Sequence, residues 1–283
     1  MKRENLAVLG LGLIGGSIAA SARARDAVSS VIGWDPNPEA CAIALARGYV
    51  DAIELTLGDA VANASLVVAA CPVPQMVSLL REVVTEAHPG TLLTDVASTK
   101  LSIFEGMQIE MPEGVEYLGS HPLAGSEKSG PSHADANLLE NRVVAICPGP
   151  NTKAETVGRL EKFWQSLGAR VVSSPAERHD ILLSLTSHLP HLLAYLLAAM
   201  PNREHSPYLA GGFRDMTRLA GSSPHLWMGI FQDNRTELLA RAMEFRSKLD
   251  EAIASLEQTG DVGGVLKKQM EEGWKMRTSW QAL

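Results

Sequence analysis

Hydrophobic and polar positions change rhythm once along this chain, near residue 173. Before that point, short apolar runs rich in β-branched residues alternate with longer stretches of helical period. The pattern predicts strands over 6–10, 31–35, 66–70, 92–95, 115–119, 142–147 and 170–172. Helices are predicted between them, over 13–24, 38–47, 74–87, 100–107 and 153–167. Strands alternating with helices imply an α/β fold built on a doubly wound, mostly parallel sheet. After Ser173 the strand signal disappears, and helices are predicted over 177–200, 207–219, 224–259 and 262–280. The expectation is therefore two domains, 1–173 and an all-helical 174–283. The 177–200 helix is apolar on nearly every side, which predicts burial at the centre of the domain or in a subunit interface. Pro190 should kink it.

Composition narrows the class. A chain of 283 residues with 46% apolar and 20% charged positions is long enough to bury a sizeable core and ordinary enough to be globular. The formal net charge of −7 argues against a nucleic-acid partner, and it means an anionic substrate would need local basic residues. Cys41, Cys71 and Cys147 are odd in number and form no CxxC pair, which reads as reduced thiols in a cytoplasmic protein. The basic start Lys2-Arg3 and the apolar run over 6–22 superficially resemble an export signal, but Gly10, Gly12, Gly15 and Gly16 interrupt that run. No later stretch is expected to span a bilayer.

Those glycines carry the first chemistry. Gly10-x-Gly12-x-x-Gly15 follows a predicted strand and opens a predicted helix, and Asp35 ends the next strand 20 residues after Gly15. Each part has a mechanical reason. Gly10 permits the tight turn, Gly12 lets backbone approach a pyrophosphate, and Gly15 lets helix and strand pack closely. The helix N-terminus, at Leu13 and Ile14, offers free N–H groups and the positive end of its dipole to phosphate. Asp35 can accept from ribose hydroxyls and repels a 2′-phosphate, and Pro36-Asn37 supplies no cation. The expected cofactor is NAD rather than NADP, in a Rossmann-type fold. Cys71-Pro72, at the end of the 66–70 strand, and Ser98 are counted with this cofactor site. A ligand-free glycine turn is the alternative.

Ligands of open α/β sheets bind beyond the carboxyl ends of the strands. Asp95-Val-Ala-Ser98-Thr99-Lys100 sits at one such end, where Ser98 or Thr99 could equally cap a helix. Ser120-His121-Pro-Leu-Ala-Gly-Ser126-Glu127 sits at another, with His121 expected in a loop immediately after its strand. On the long helix, Ser184, His188 and His191 fall at i, i+4 and i+7 and so share a face. A hydrogen-bonded pair of core histidines is an alternative there, and no metal-ligand spacing accompanies them. Gly211-Gly212-Phe-Arg214-Asp-Met-Thr-Arg218, followed by Trp227, offers arginines suited to bidentate carboxylate recognition.

Taken together, these motifs resemble the prephenate/arogenate dehydrogenase family of tyrosine biosynthesis. The resemblance runs from residue 6 to about residue 246 and includes His179-Asp180 and Ser187-His188-Leu-Pro-His191. It implies a Rossmann domain, a helical domain that forms a homodimer, and oxidative decarboxylation of a cyclohexadienyl substrate, prephenate being favoured over arogenate. It implies that His121 is catalytic, that Ser98 bonds the same ring hydroxyl, and that Arg218 binds a substrate carboxylate. Ser126, Glu127, His188, His191 and Trp227 match pocket positions. Ala97 stands where the family often has glycine, which should stiffen that loop. Relatives with a regulatory or mutase domain carry length that this sequence does not have after its helices. Two rivals are a β-hydroxyacid or imine-type reductase, whose catalytic lysine or aspartate would stand where Ser187-His188 does, and a non-catalytic NAD sensor.

Overall fold

The computed structural model describes residues 3–125, 128–257 and 264–280. Strands β1 (Asn5–Leu9), β2 (Ser30–Trp34), β3 (Ala52–Ile53), β4 (Leu66–Ala69), β5 (Leu92–Asp95) and β6 (Glu116–Tyr117) form one sheet in the order β3-β2-β1-β4-β5-β6. Every pairing in it is parallel. Helices α1 (Leu13–Ala24), α2 (Pro38–Ala46), α3 (Leu57–Val61), α4 (Val73–Glu86) and α5 (Leu101–Gly106) join the strands. Central strands β1 and β4 are covered on both sides, so nearly every residue in them is apolar and buried. Alternate side chains feed two cores. Leu6, Val8, Leu66 and Val68 pack with Ile18 and Trp164 on one side. Ala7, Leu9, Val67 and Ala69 pack with Met76 and Leu80 on the other.

The chain then departs from the expected single sheet. Strands β7 (Gly119–Pro122), β8 (Val143–Cys147) and β9 (Arg170–Ser173), with α6 (Ala154–Ser166), form a second, three-stranded sheet in the order β7-β8-β9. β7 runs antiparallel to β8, and β9 parallel to it. His121 therefore lies within a strand, opposite Ala145, and not in a loop after one. The predicted 115–119 strand is really the end of one sheet and the start of another. Gly119 makes the passage possible: a Cβ there would lie 2.9 Å from the Tyr117 hydroxyl and 3.2 Å from an Asp95 oxygen.

From Ala176 onward all regular structure among the described residues is helical. The long apolar helix is α7 (Ala176–Leu183), a five-residue π turn, then α8 (Leu189–Ala198). The distortion falls where Pro190 has no N–H to return to the preceding turn, and the Leu189 N–H donates five residues back to the Ser184 carbonyl. The helix over Ala176–Ala198 is 23 residues long and holds an 18-residue stretch with a mean hydropathy of 1.5, so by length and composition alone it does meet the criterion for a membrane span, contrary to expectation. Within the single chain it is not buried on every side, with Leu182, Leu185 and Leu196 exposed. Its polar residues nevertheless bond to the sheet domain, as described below.

Helices α9 (Gly211–Thr217) and α10 (Pro224–Asp233) complete a first compact unit that ends at Asn234. The predicted 224–259 helix is broken there, at φ −99° and ψ 36° for Asn234. A second unit, from residue 235, holds α11 (Arg235–Glu257) and α12 (Val265–Ser279), linked by Gln269 Nε2 donating to Glu251 Oε2 at 2.9 Å.

Candidate active site

The turn from β1 to α1 is built almost wholly from backbone. Gly10 sits at φ +100°, and a Cβ on it would meet the Ala70 carbonyl oxygen at 2.4 Å. A Cβ on Gly15 would fall 1.9 Å from the Gly10 carbonyl oxygen. Both glycines are thus demanded by the fold itself. Gly12 differs: nothing lies within 4 Å of where its Cβ would be. Packing does not need a glycine there; close approach by a ligand would. Gly12 caps α1 without any side-chain bond, so no capping side chain claims the first N–H groups of the helix. Asp35 braces the turn, its Oδ2 accepting from the Leu11 N–H at 2.7 Å and its Oδ1 from the Asn37 N–H at 2.8 Å. Each carboxylate oxygen retains a lone pair for a further donor. The site lies at the switch point between β1 and β4, with Cys71 half-buried and Pro72 exposed at the end of β4.

A second cluster gathers around Asp180. Asp95, at the end of β5, is fully buried and pairs with the equally buried Lys100 ammonium. It also accepts from the Tyr117 hydroxyl at 2.7 Å and from the Ala97 N–H at 2.9 Å, so both oxygens of the buried carboxylate are hydrogen-bonded. Burial, then the Asp95 charge, push the Tyr117 phenol well above its usual range. The Lys100 and Leu101 N–H groups, which open α5, donate to Asp180 Oδ1 and Oδ2 at 2.8 and 2.9 Å. Asp180 therefore caps this helix from 80 residues away. Neither Ser98 nor Thr99 does so, and Thr99 Oγ1 is buried without a hydrogen-bond partner among the described residues. Asp180 Oδ1 also holds His179 Nδ1 at 2.8 Å, and His179 Nε2 lies 2.9 Å from His121 Nδ1. Burial, followed by the neighbouring His179, Lys100 and His188, holds the His121 imidazole well below its usual pKa.

The helical wall supplies the remaining side chains. Asn234 Nδ2 lies 2.9 Å from the Asp180 carbonyl oxygen and 3.1 Å from His188 Nδ1. His188 is fully buried, and burial brings its pKa down to about 4. His191 is only half-buried: it lies flat on Trp227 at a ring separation of 3.4 Å and bonds the Ser187 carbonyl through Nδ1 at 2.9 Å. Burial, and secondarily the charge of Arg218, lower its pKa. Arg218 itself is exposed, at the start of a short 3-10 turn after α9.

Residues 18–173 match the family model described as prephenate dehydrogenase, nucleotide-binding domain, and residues 175–272 match prephenate dehydrogenase, dimerization domain. The chain belongs to the prephenate dehydrogenase family. A curated prephenate dehydrogenase of Bacillus subtilis is 34% identical over 90% of this chain and 71% of its own length. A cyclohexadienyl dehydrogenase of Zymomonas mobilis is 34% identical over 97% of this chain and 95% of its own. A crystal structure of prephenate dehydrogenase from Aquifex aeolicus, in complex with hydroxyphenyl propionate and NAD+, superposes with a TM-score of 0.87. It is 26% identical and covers 99% of both chains.

Against this prephenate dehydrogenase background, the predicted residues fall into two sets. Gly10, Gly12, Leu13, Ile14, Gly15, Asp35, Cys71 and Pro72 cluster at the switch point, while Ser98, half-buried, follows β5. His121 belongs to the cluster around Asp180, and His188, His191 and Trp227 meet at the Trp227 ring. Ser126 and Glu127 lie outside the described residues. Ala97 needs no glycine-like conformation, since its φ is not positive. Sequence reasoning assigned no role to Asp95, Lys100, His179, Asp180 or Asn234. The His179-Asp180 pair was visible as a motif, but nothing in the spacing says that it reaches back to His121. Asn234 offered no signal beyond the polar residue that ends α10.

Proposed function

We propose that this chain oxidatively decarboxylates prephenate to 4-hydroxyphenylpyruvate and CO2 with NAD, the dehydrogenase step of tyrosine biosynthesis. The observation that carries the reading is His121: a buried imidazole in β7, hydrogen-bonded to His179, whose pKa burial lowers. An uncharged imidazole near neutral pH is what a general base requires. His121 takes the proton of the ring C4 hydroxyl, and Ser98 holds that oxygen. Arg218 and His191 bind the substrate carboxylates, with His188, Trp227, Ser126 and Glu127 lining the pocket. Loss of the ring carboxylate as CO2 leaves the ring aromatic, which drives the reaction forward.

The glycine turn fits NAD. The open space at Gly12 and the uncapped start of α1 suit a pyrophosphate, and Asp35 suits an unphosphorylated ribose. When bound, NAD supplies the two-electron acceptor for the hydride at C4. Comparison of kcat/KM with NAD and NADP tests the choice, and a preference for NADP would contradict it.

The assembly we infer is a cytoplasmic homodimer joined through a helical domain over 174–283, with residues 1–173 forming the NAD-binding domain. The name of the second family model and the exposed Leu182, Leu185 and Leu196 support this reading. A second reading, arogenate or dual cyclohexadienyl specificity, is favoured by the identity to the Zymomonas mobilis relative. Detection of 4-hydroxyphenylpyruvate from prephenate, or of tyrosine from arogenate, separates the two.

A further inference from the structure

The geometry points to His179 and Asp180 as positioning residues that fix the tautomer of His121, so that its lone pair stands on Nε2. This rests on the reading of His121 as the base. Asp180 accepts at both carboxylate oxygens, from the Lys100 and Leu101 N–H groups, and so has no proton to give. His179 Nδ1, 2.8 Å from Asp180 Oδ1, must therefore carry hydrogen. In the proposed relay the Nε2 lone pair of His179 accepts from the Nδ1–H of His121, 2.9 Å away. The remaining nitrogen of His121, Nε2, is the basic one. A carboxylate orients one imidazole, which orients a second, as a carboxylate orients the histidine of a serine hydrolase.

The same aspartate sets a second ring in the opposite sense. Asn234 Nδ2 gives one hydrogen to the Asp180 carbonyl oxygen, which rules out the flipped amide, and its other hydrogen to His188 Nδ1. His188 must then carry its own proton on Nε2, an atom that is buried without a partner among the described residues. One residue, through its carboxylate and its carbonyl, thus leaves His121 as an acceptor and His188 as a donor at the corresponding nitrogen.

Imidazole nitrogen NMR of the histidine-labelled protein tests this directly. The wild type should show His121 protonated on Nδ1 and His188 protonated on Nε2 near neutral pH. A proton on His121 Nε2 would overturn the assignment. In kinetics, His179→Phe should lower kcat by about 100-fold with a much smaller change in the KM values, because the base is misoriented rather than removed. His179→Gln keeps an acceptor oxygen for His121 and should retain more activity. Equal losses in the two variants, or a kcat for His179→Phe within about threefold of wild type, would refute the positioning role. If His179→Phe does not fold, the wild-type spectrum and His179→Gln still decide. If the wild type turns over no prephenate, the reading of the reaction fails, while the tautomers still test the relay.

Discussion

The turn between β1 and α1 and the cluster around Asp180 both shape a strand end for a ligand, and they use opposite materials. The turn works by leaving side chains out. Its glycines lie within six residues of one another, and two of them are required by the backbone before any ligand arrives. The cluster works by bringing side chains together. It takes Asp95 and Lys100 from one strand end, His121 from a second sheet, His179 and His188 from a long helix, and Asn234 from the end of α10. A site made of backbone depends on close packing of a few local residues; a site made of a hydrogen-bond chain depends on every element that contributes to it.

The comparison breaks most sharply at His121. His121→Asn should lower kcat by roughly 1,000-fold with little change in the KM for NAD, as expected on losing a general base. A kcat near wild type would remove the cluster from the chemistry. Acid comes next. His188 has a pKa of about 4 in the fold against 6.5 for the free group, so the unfolded chain binds more protons between those values. Stability should accordingly be full above pH 6.5 and fall by on the order of 3 kcal/mol as the pH drops toward 4. Urea titrations across that range check it, and the loss should shrink in His188→Gln.

The turn should respond differently. Gly15→Ala forces a Cβ against the Gly10 carbonyl and should cost about 2 kcal/mol of stability by overpacking. Arg218→Ala should raise the KM for prephenate about tenfold, the loss of one charge-assisted contact, with kcat nearly unchanged. Gly12→Ala has the smallest effect on the protein itself. Its melting temperature should match wild type while the KM for NAD rises severalfold, since only the ligand approaches there. A stability loss at Gly12 as large as at Gly15 would erase the distinction between a glycine kept for folding and one kept for a ligand.

Legibility in the sequence follows the same division. The glycine turn, Asp35 and the strand-helix alternation could be read because each is a local rule with a short period. His121, Ser98, His191 and Arg218 could be singled out as residue types, and the family resemblance gave them roles. Their surroundings could not. That the strand over 115–119 splits between two sheets depends on a close pass of Gly119 over Asp95, which no periodicity encodes. Capping of α5 by Asp180 replaces the local cap that Ser98 or Thr99 suggested. The π turn before Pro190 was anticipated as a kink, but not the break at Asn234, where the side chain is drawn to Asp180 and His188.

The most direct test of the whole account is the reaction itself, followed by NADH absorbance with prephenate as substrate. The wild type should form NADH saturably, with one CO2 and one 4-hydroxyphenylpyruvate for each NADH, and His121→Asn should do so roughly 1,000-fold more slowly. No NADH from prephenate, or NADH formed without CO2, would contradict it.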